Sequence, residues 1–239
     1  MSLIGLAGAS EAVSSMRHLQ IRRWVLGLLC FAVCGCAGFA PVEAQAHPHV
    51  WVTMNTEVLY DTNGVVTGLR QAWSFDDMFS AFATTGIAAK IKGQFTPEEL
   101  QPIADVNVTA LKDFDYFTYA RVDGKRDRDA FIDPVDYSAS FNPQTTLLTL
   151  HFTLPVRVPI KAKLLQIEIY DPTFFIDFAL ASKDAVKLVG APAHCTVAAE
   201  KPPDPNFMTS QQLNKGFVPS EVYIGMGDSF ANKITVQCP

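Results

Sequence analysis

Two runs rich in β-branched and aromatic residues, 50–60 and 65–75, stand on either side of Asp61-Thr62-Asn63-Gly64. Such runs around Asn-Gly predict an antiparallel hairpin, with the Asn-Gly pair supplying positive φ in the turn. A chain that opens this way is committed to a sheet. The segments that follow fit one. Residues 74–89 and 97–112 read as helices. In the second, Thr96 is the expected N-cap, Pro97 the first helical position and Glu99 the returning acid of a capping box.

From residue 115 onward strands dominate. Segments 116–122 and 130–137 flank a charged turn at 123–129, and strands are expected at 145–154, 164–170, 174–181 and 233–238. Pro155 and Pro159 are expected to bound a connection, because proline cannot donate to a central ladder. Leu165, Ile167 and Ile169 alternate with Gln166 and Glu168, the period of a half-buried strand. His151 alternates with Thr149 and Thr153 opposite the face of Leu148, Leu150 and Phe152. No internal repeat is visible, and 201–206 reads as an extended connector. The fold class is α+β: a single domain with a mostly antiparallel sheet, an N-terminal β-hairpin and two helices.

The first 46 residues stand apart. Arg17, Arg22 and Arg23 precede an apolar stretch at 24–40, and Ala44-Gln45-Ala46 follows it. A basic start, an apolar stretch and an A-x-A ending describe a secretory signal peptide, cleaved after Ala46. Residues 47–239 are then a periplasmic domain. A retained anchor and lipidation at Cys36 are the competing routes. Setting the leader aside removes three of 19 basic and two of 24 acidic groups, leaving a net charge of −6 over 193 residues. An acidic domain without a Lys/Arg cluster is a poor nucleic-acid binder.

Only Cys195 and Cys238 remain beyond the leader. An even pair in an oxidising compartment predicts a disulfide, which would staple the C-terminal tail. The alternative is that Cys195, beside His194, is a metal ligand or a reactive thiol.

Cleavage after Ala46 makes His47 the new N-terminus, followed by Pro48, His49, Val50 and Trp51. Histidines at i and i+2 of an extended segment point to one face, about 7 Å apart. Neutral imidazoles are common ligands for zinc, nickel and copper, and the free α-amine is a third nitrogen. Pro48 has no N–H, so copper clamping through consecutive deprotonated amides is blocked. Two hairpin registers supply carboxylates. If Tyr60 pairs with Val65, His49 lies opposite Asp76. If Thr62 pairs with Val65, His49 faces Met78 and Val50 faces Asp77. Two imidazoles with one or two carboxylates are an adequate ligand set for a borderline divalent metal. The bland alternative is a solvated terminus beside a helix cap. Asp171, ahead of Pro172, is read either as a ligand or histidine-orienting residue or as the acceptor of an Asx-turn. His151 and His194 are reserve ligands. No GxSxG, P-loop, GxGxxG after a strand or HExxH is present, so no enzyme class is indicated.

Together, His47-Pro48-His49-Val50-Trp51 after a signal peptide, Trp73-Ser74-Phe75-Asp76-Asp77, Tyr170-Asp171-Pro172-Thr173-Phe174-Phe175 and the terminal 230–238 run resemble domain-of-unknown-function family 1007. That family is described as a periplasmic component of an uncharacterised ABC-type transport system. The resemblance implies periplasmic metal handling beside nickel/cobalt-type or zinc-responsive transport. The family often carries an EF-hand-like loop, here residues 88–99. Gly93 and Glu99 hold its sixth and twelfth positions, but Ala88, Lys90 and Lys92 stand where calcium needs oxygen ligands, so calcium is not expected.

The leading expectation is therefore a periplasmic, non-enzymatic binding protein for a divalent transition metal (zinc, nickel, cobalt or copper), serving an inner-membrane metal permease. His47 and His49, Asp76 or Asp77, and Asp171 carry it. The alternatives are an accessory subunit docking to a permease with incidental histidines, and a copper histidine-brace redox protein.

Overall fold

The structure, a computed structural model, describes residues 48–202 and 230–239. Residues 1–47, which hold the expected leader, Cys36 and His47, and the segment 203–229 lie outside the described residues. The described residues build two sheets. The first runs β5-β6-β2-β1-β8, from β1 (Val50–Tyr60), β2 (Val66–Phe75), β5 (Val135–Asn142), β6 (Leu147–Ile160) and β8 (Ile176–Leu180); β9 (Val186–Val189) also pairs β1. The second runs β10-β11-β7-β3-β4, from β3 (Thr118–Val122), β4 (Lys125–Asp127), β7 (Leu164–Ile169), β10 (Thr196–Glu200) and β11 (Asn232–Gln237). Pairing is antiparallel except where β1 meets β8 and β9. Among the described residues, two α-helices complete the fold, α1 (Asp77–Thr84) and α2 (Pro97–Leu111), with a short 3-10 segment at Lys112–Phe117 after the second.

The core follows from alternation. Val50, Val52, Met54 and Val58 of β1, with Leu69, Trp73 and Phe75 of β2 and Leu148, Leu150, Phe152 and Leu154 of β6, are buried on one face of the first sheet. They belong to one cluster with Leu165, Ile167 and Ile169 of β7 and Ile234 and Val236 of β11. At the heart of it the Trp73 ring stands edge-on to Phe152 and Phe178, each at 4.9 Å between centroids. The helix α2 begins as expected: the Thr96 side chain takes the Glu99 N–H, and the Glu99 carboxylate takes the Thr96 N–H. The other Glu99 oxygen accepts the Lys90 N–H at 3.1 Å, so the 88–99 loop closes on its own twelfth residue.

Several boundaries differ from expectation. Positive φ in the first hairpin belongs to Gly64 alone (+72°); Asn63 keeps negative φ because the Asp61 carboxylate caps the turn, accepting from the Asn63 and Val65 N–H groups. α1 begins three residues late and ends at Thr84, since Ser74 and Phe75 are held in the ladder to β1. The expected strand at 130–137 falls instead at Val135–Asn142. β6 passes straight through Pro155 and Pro159. The ladder to β2 slips between Gly68↔Pro155 and Val66↔Ile160, a bulge that accommodates residues without a free N–H. Gly68 is needed there: a Cβ on it would lie 2.9 Å from the Leu154 carbonyl oxygen.

Cys195 and Cys238 form the expected disulfide, 43 residues apart in sequence. It sits one step beyond the Thr196↔Gln237 pair, at the end of the β10–β11 ladder opposite the 201–231 connection.

Candidate functional site

The hairpin takes the second of the two possible registers. Val52 pairs with Phe75 and Leu59 with Gly68, with a slip before Tyr60↔Val66. Trp51, not His49, therefore lies opposite Asp76. The two are joined twice: the Asp76 N–H donates to the Trp51 carbonyl at 2.9 Å, and the Trp51 N–H donates to Asp76 Oδ2 at 2.8 Å. Asp76 Oδ1 takes the Phe79 N–H at 2.8 Å, making Asp76 the N-cap of α1. Asp77 is exposed in the first turn of that helix, where a carboxylate is favoured by the helix dipole.

His49 is exposed at the start of β1. Its N–H donates to the Phe175 carbonyl at 2.8 Å, and its ring lies 5.0 Å from the Phe175 ring. The backbone of the Pro48-His49 segment is thus pinned to the loop before β8. Asp171 builds that loop. It is 3% exposed; one oxygen accepts the Thr173 N–H and hydroxyl, and the other accepts the Phe175 and Ile176 N–H groups. Four donors occupy its four acceptor sites, so the Asx-turn reading describes it and no position is left for an ion. Its influence on His49 runs through Phe175, whose left-handed neighbour Phe174 (φ 57°) it helps to hold.

The parallel register of β1 and β8 adds a residue that sequence reading missed. Trp51 pairs with Asp177, and Val50 and Val52 with Ile176 and Phe178. Since Val50, Val52 and Phe178 face the core, alternation puts Trp51 and Asp177 on the opposite face, and the exposed His49 and Phe175 precede the ladder. Asp177 is half-buried, and burial pushes its carboxyl above the usual range. Its side chain has no hydrogen-bond or ion-pair partner among the described residues. The signal available in sequence was the alternation of Ile176, Asp177 and Phe178, but parallel pairing with β1 could not be read from it.

A metal would find His49 flanked by Asp177 on one strand and Asp76 on the other. With the Trp51 strand between them, those two aspartates are about 10 Å apart at the backbone, two inter-strand spacings. Ligand atoms on one ion lie far closer, at about 2 Å from the metal. Accordingly, among the described residues no three His, Cys, Asp or Glu side chains are grouped to hold a metal. His47, the other histidine expected there, lies outside the described residues.

The reserve histidines are elsewhere. His151 Nε2 pairs with the Ser140 hydroxyl at 2.8 Å, and burial lowers its pKa. It lines a cleft of about 370 Å³ on the outer face of the first sheet with Asn55, Glu57 and Arg70. His194 is exposed beside the disulfide.

Fold and site thus define a two-sheet α+β domain with a histidine-bearing strand end under an aspartate-capped helix. The chain belongs to the family described as a protein of unknown function, DUF1007, whose model matches residues 31–238. An uncharacterized protein of Haemophilus influenzae is 24% identical over 202 residues, covering 84% of this chain and 95% of the relative.

Proposed function

We propose that this is an exported binding protein that captures a divalent transition metal, zinc, nickel, cobalt or copper, at the start of β1 and passes it to or from a membrane permease. The observation that carries the reading is the fixed, exposed presentation of His49. Its backbone is bonded to Phe175, its exposed ring packs beside the Phe175 ring, and His47 precedes it by two residues in sequence. An imidazole held this way has little conformational entropy left to lose on binding an ion. The metal is cargo, and the acidic net charge of the domain favours cation approach. The test is elemental analysis of protein purified from the periplasm, with intact mass fixing the N-terminus. The account expects cleavage after Ala46 and one bound metal, lost in His47→Ala/His49→Ala. Metal-free protein, or metal retained by that variant, contradicts it.

A second reading has its own observation. Met78 and Phe82, one helical turn apart on α1, are 65% and 79% exposed, and Trp51 and Phe175 beside His49 are 45% and 52% exposed. Exposed large apolar side chains of this kind suit a docking face for a permease. Met78→Ser/Phe82→Ser would then abolish association with a co-expressed permease while leaving metal content unchanged.

A further inference from the structure

Independently of metal capture, we propose that the outer face of the first sheet binds a small uncharged polyhydroxylated molecule, a saccharide unit, in the hollow over Ala72. The hollow follows from the register. Asn55 pairs with Ala72, Ala72 with His151 and His151 with Ser138, so these four form one row across β1, β2, β6 and β5. Alternation with the buried Met54, Trp73, Leu150 and Ala139 turns that row away from the core. Asn55 and His151 stand two inter-strand spacings apart, about 10 Å at the backbone, and in that row only a methyl group lies between them. The next row, Glu57, Arg70 and Thr153, closes one side. At the β5 edge the ladder slips between Val135 and Ser138, and Asp136, in that slip at φ 50°, joins the lining. A bulge of this kind re-aims a side chain that a regular strand would place elsewhere. The cleft so formed, of about 370 Å³, is at the small end of the range for small-molecule sites.

The groups around the hollow select the ligand. Arg70 is already neutralised by Glu57 at 2.6 Å, and Asp136 leaves one carboxylate in excess, so an anion is disfavoured. His151 is held at Nε2 by the Ser140 hydroxyl, 2.8 Å away, and burial lowers its pKa, so the ring is neutral at pH 7. The side chains of Asn55 and Thr153 have no hydrogen-bond partner among the described residues. An amide, a hydroxyl and a neutral imidazole both donate and accept, and so do the hydroxyls of a sugar. An apolar ligand would strip water from these groups and return no hydrogen bond.

The experiment follows backbone amide chemical shifts by NMR while the protein is titrated with D-glucose, D-galactose and N-acetyl-D-glucosamine, with inorganic phosphate and ethanolamine as charged comparisons. At least one sugar is expected to give saturable shifts confined to residues 55–57, 70–72 and 151–153. Ala72→Leu, which fills the hollow, should abolish them. Asn55→Ala should weaken binding about tenfold, the scale of one hydrogen-bonding side chain. Circular dichroism checks both variants, and if Ala72→Leu fails to fold, Asn55→Ala, on an exposed side chain, decides alone. For the sugar that binds, its linear tetramer is then compared: tighter binding assigns the end of a glycan chain, and equal binding a free sugar. No saturable shift from any of the three sugars, shifts from phosphate or ethanolamine in their place, or binding indifferent to Asn55→Ala overturns the proposal. Metal capture stands or falls separately, since none of these residues belongs to the start of β1.

Discussion

The Asp76 N–H donates to the Trp51 carbonyl while the Trp51 N–H donates back to the Asp76 carboxylate, at 2.9 and 2.8 Å. This exchange closes the open end of the first hairpin and starts α1 from the same residue. Asp76→Ala should cost about 1–2 kcal/mol, the range for loss of an N-cap. Asp76→Asn should cost less, because the asparagine oxygen keeps the Phe79 cap while its NH₂ gives up only the bond from the exposed Trp51 N–H, which water can replace. Urea denaturation of the two variants separates them, and equal losses would mean that the cap is not what Asp76 contributes.

Asp171 should be less tolerant. Its four donors include three backbone N–H groups of the turn that carries Phe175 to His49. Asparagine would present an amide NH₂ to two of those donors, leaving them unsatisfied at about 1–3 kcal/mol each. Asp171→Asn is therefore expected to lower stability by about 2–6 kcal/mol and to raise hydrogen exchange at Phe175 and Ile176. Protection unchanged at those amides would remove the assigned role.

These two aspartates show where sequence reading reached and where it stopped. The Trp51–Asp76 closure depends on one of two registers that Asp61-Thr62-Asn63-Gly64 leaves open, because Gly64 alone takes positive φ and the ladder slips before Tyr60. The capping box at Thr96 and the Cys195–Cys238 pair were legible, since each rests on local chemistry or on counting. β6 was cut short at Pro155 because a bulge that absorbs proline depends on the partner strand, here on Gly68. β10 was missed because Thr196–Glu200 is short and mostly exposed, with its disulfide and its pairing to β11 holding it in place. Asp177 was missed for a related reason. Its place beside Trp51 comes from parallel pairing of segments 126 positions apart, which no short-range pattern encodes.

Reduction of the disulfide should loosen the β10–β11 pair. Chain entropy for a loop of this length gives roughly 4 kcal/mol. Cys195→Ser/Cys238→Ser should lose stability on that scale in urea, with the strand β11 retained because it also pairs along β7. A loss under about 1 kcal/mol would show that the bridge adds little to strands already held by their ladders.

Tyr116 gives the molecule an alkaline limit. Burial, reinforced by donation from its hydroxyl to Asp133 Oδ1 at 2.7 Å, pushes its phenol up to about 12 from an ordinary 10.0. A raised folded-state value stabilises the fold fully below the unfolded value and is lost as pH rises through the folded one. The contribution should therefore be intact below pH 10 and fade between 10 and about 12. Tyr116→Phe should flatten the fall in stability across that window. An unchanged alkaline slope would place the titration elsewhere.

Metal capture at the start of β1 is tested most directly by equilibrium titration of the processed protein with Zn²⁺, Ni²⁺, Co²⁺ and Cu²⁺ in chelator competition, beside His47→Ala/His49→Ala. The account predicts one equivalent of at least one of these ions bound by the native protein and released in the double variant, whose fold is unchanged by circular dichroism. Binding of none of them, or binding indifferent to both histidines, contradicts it.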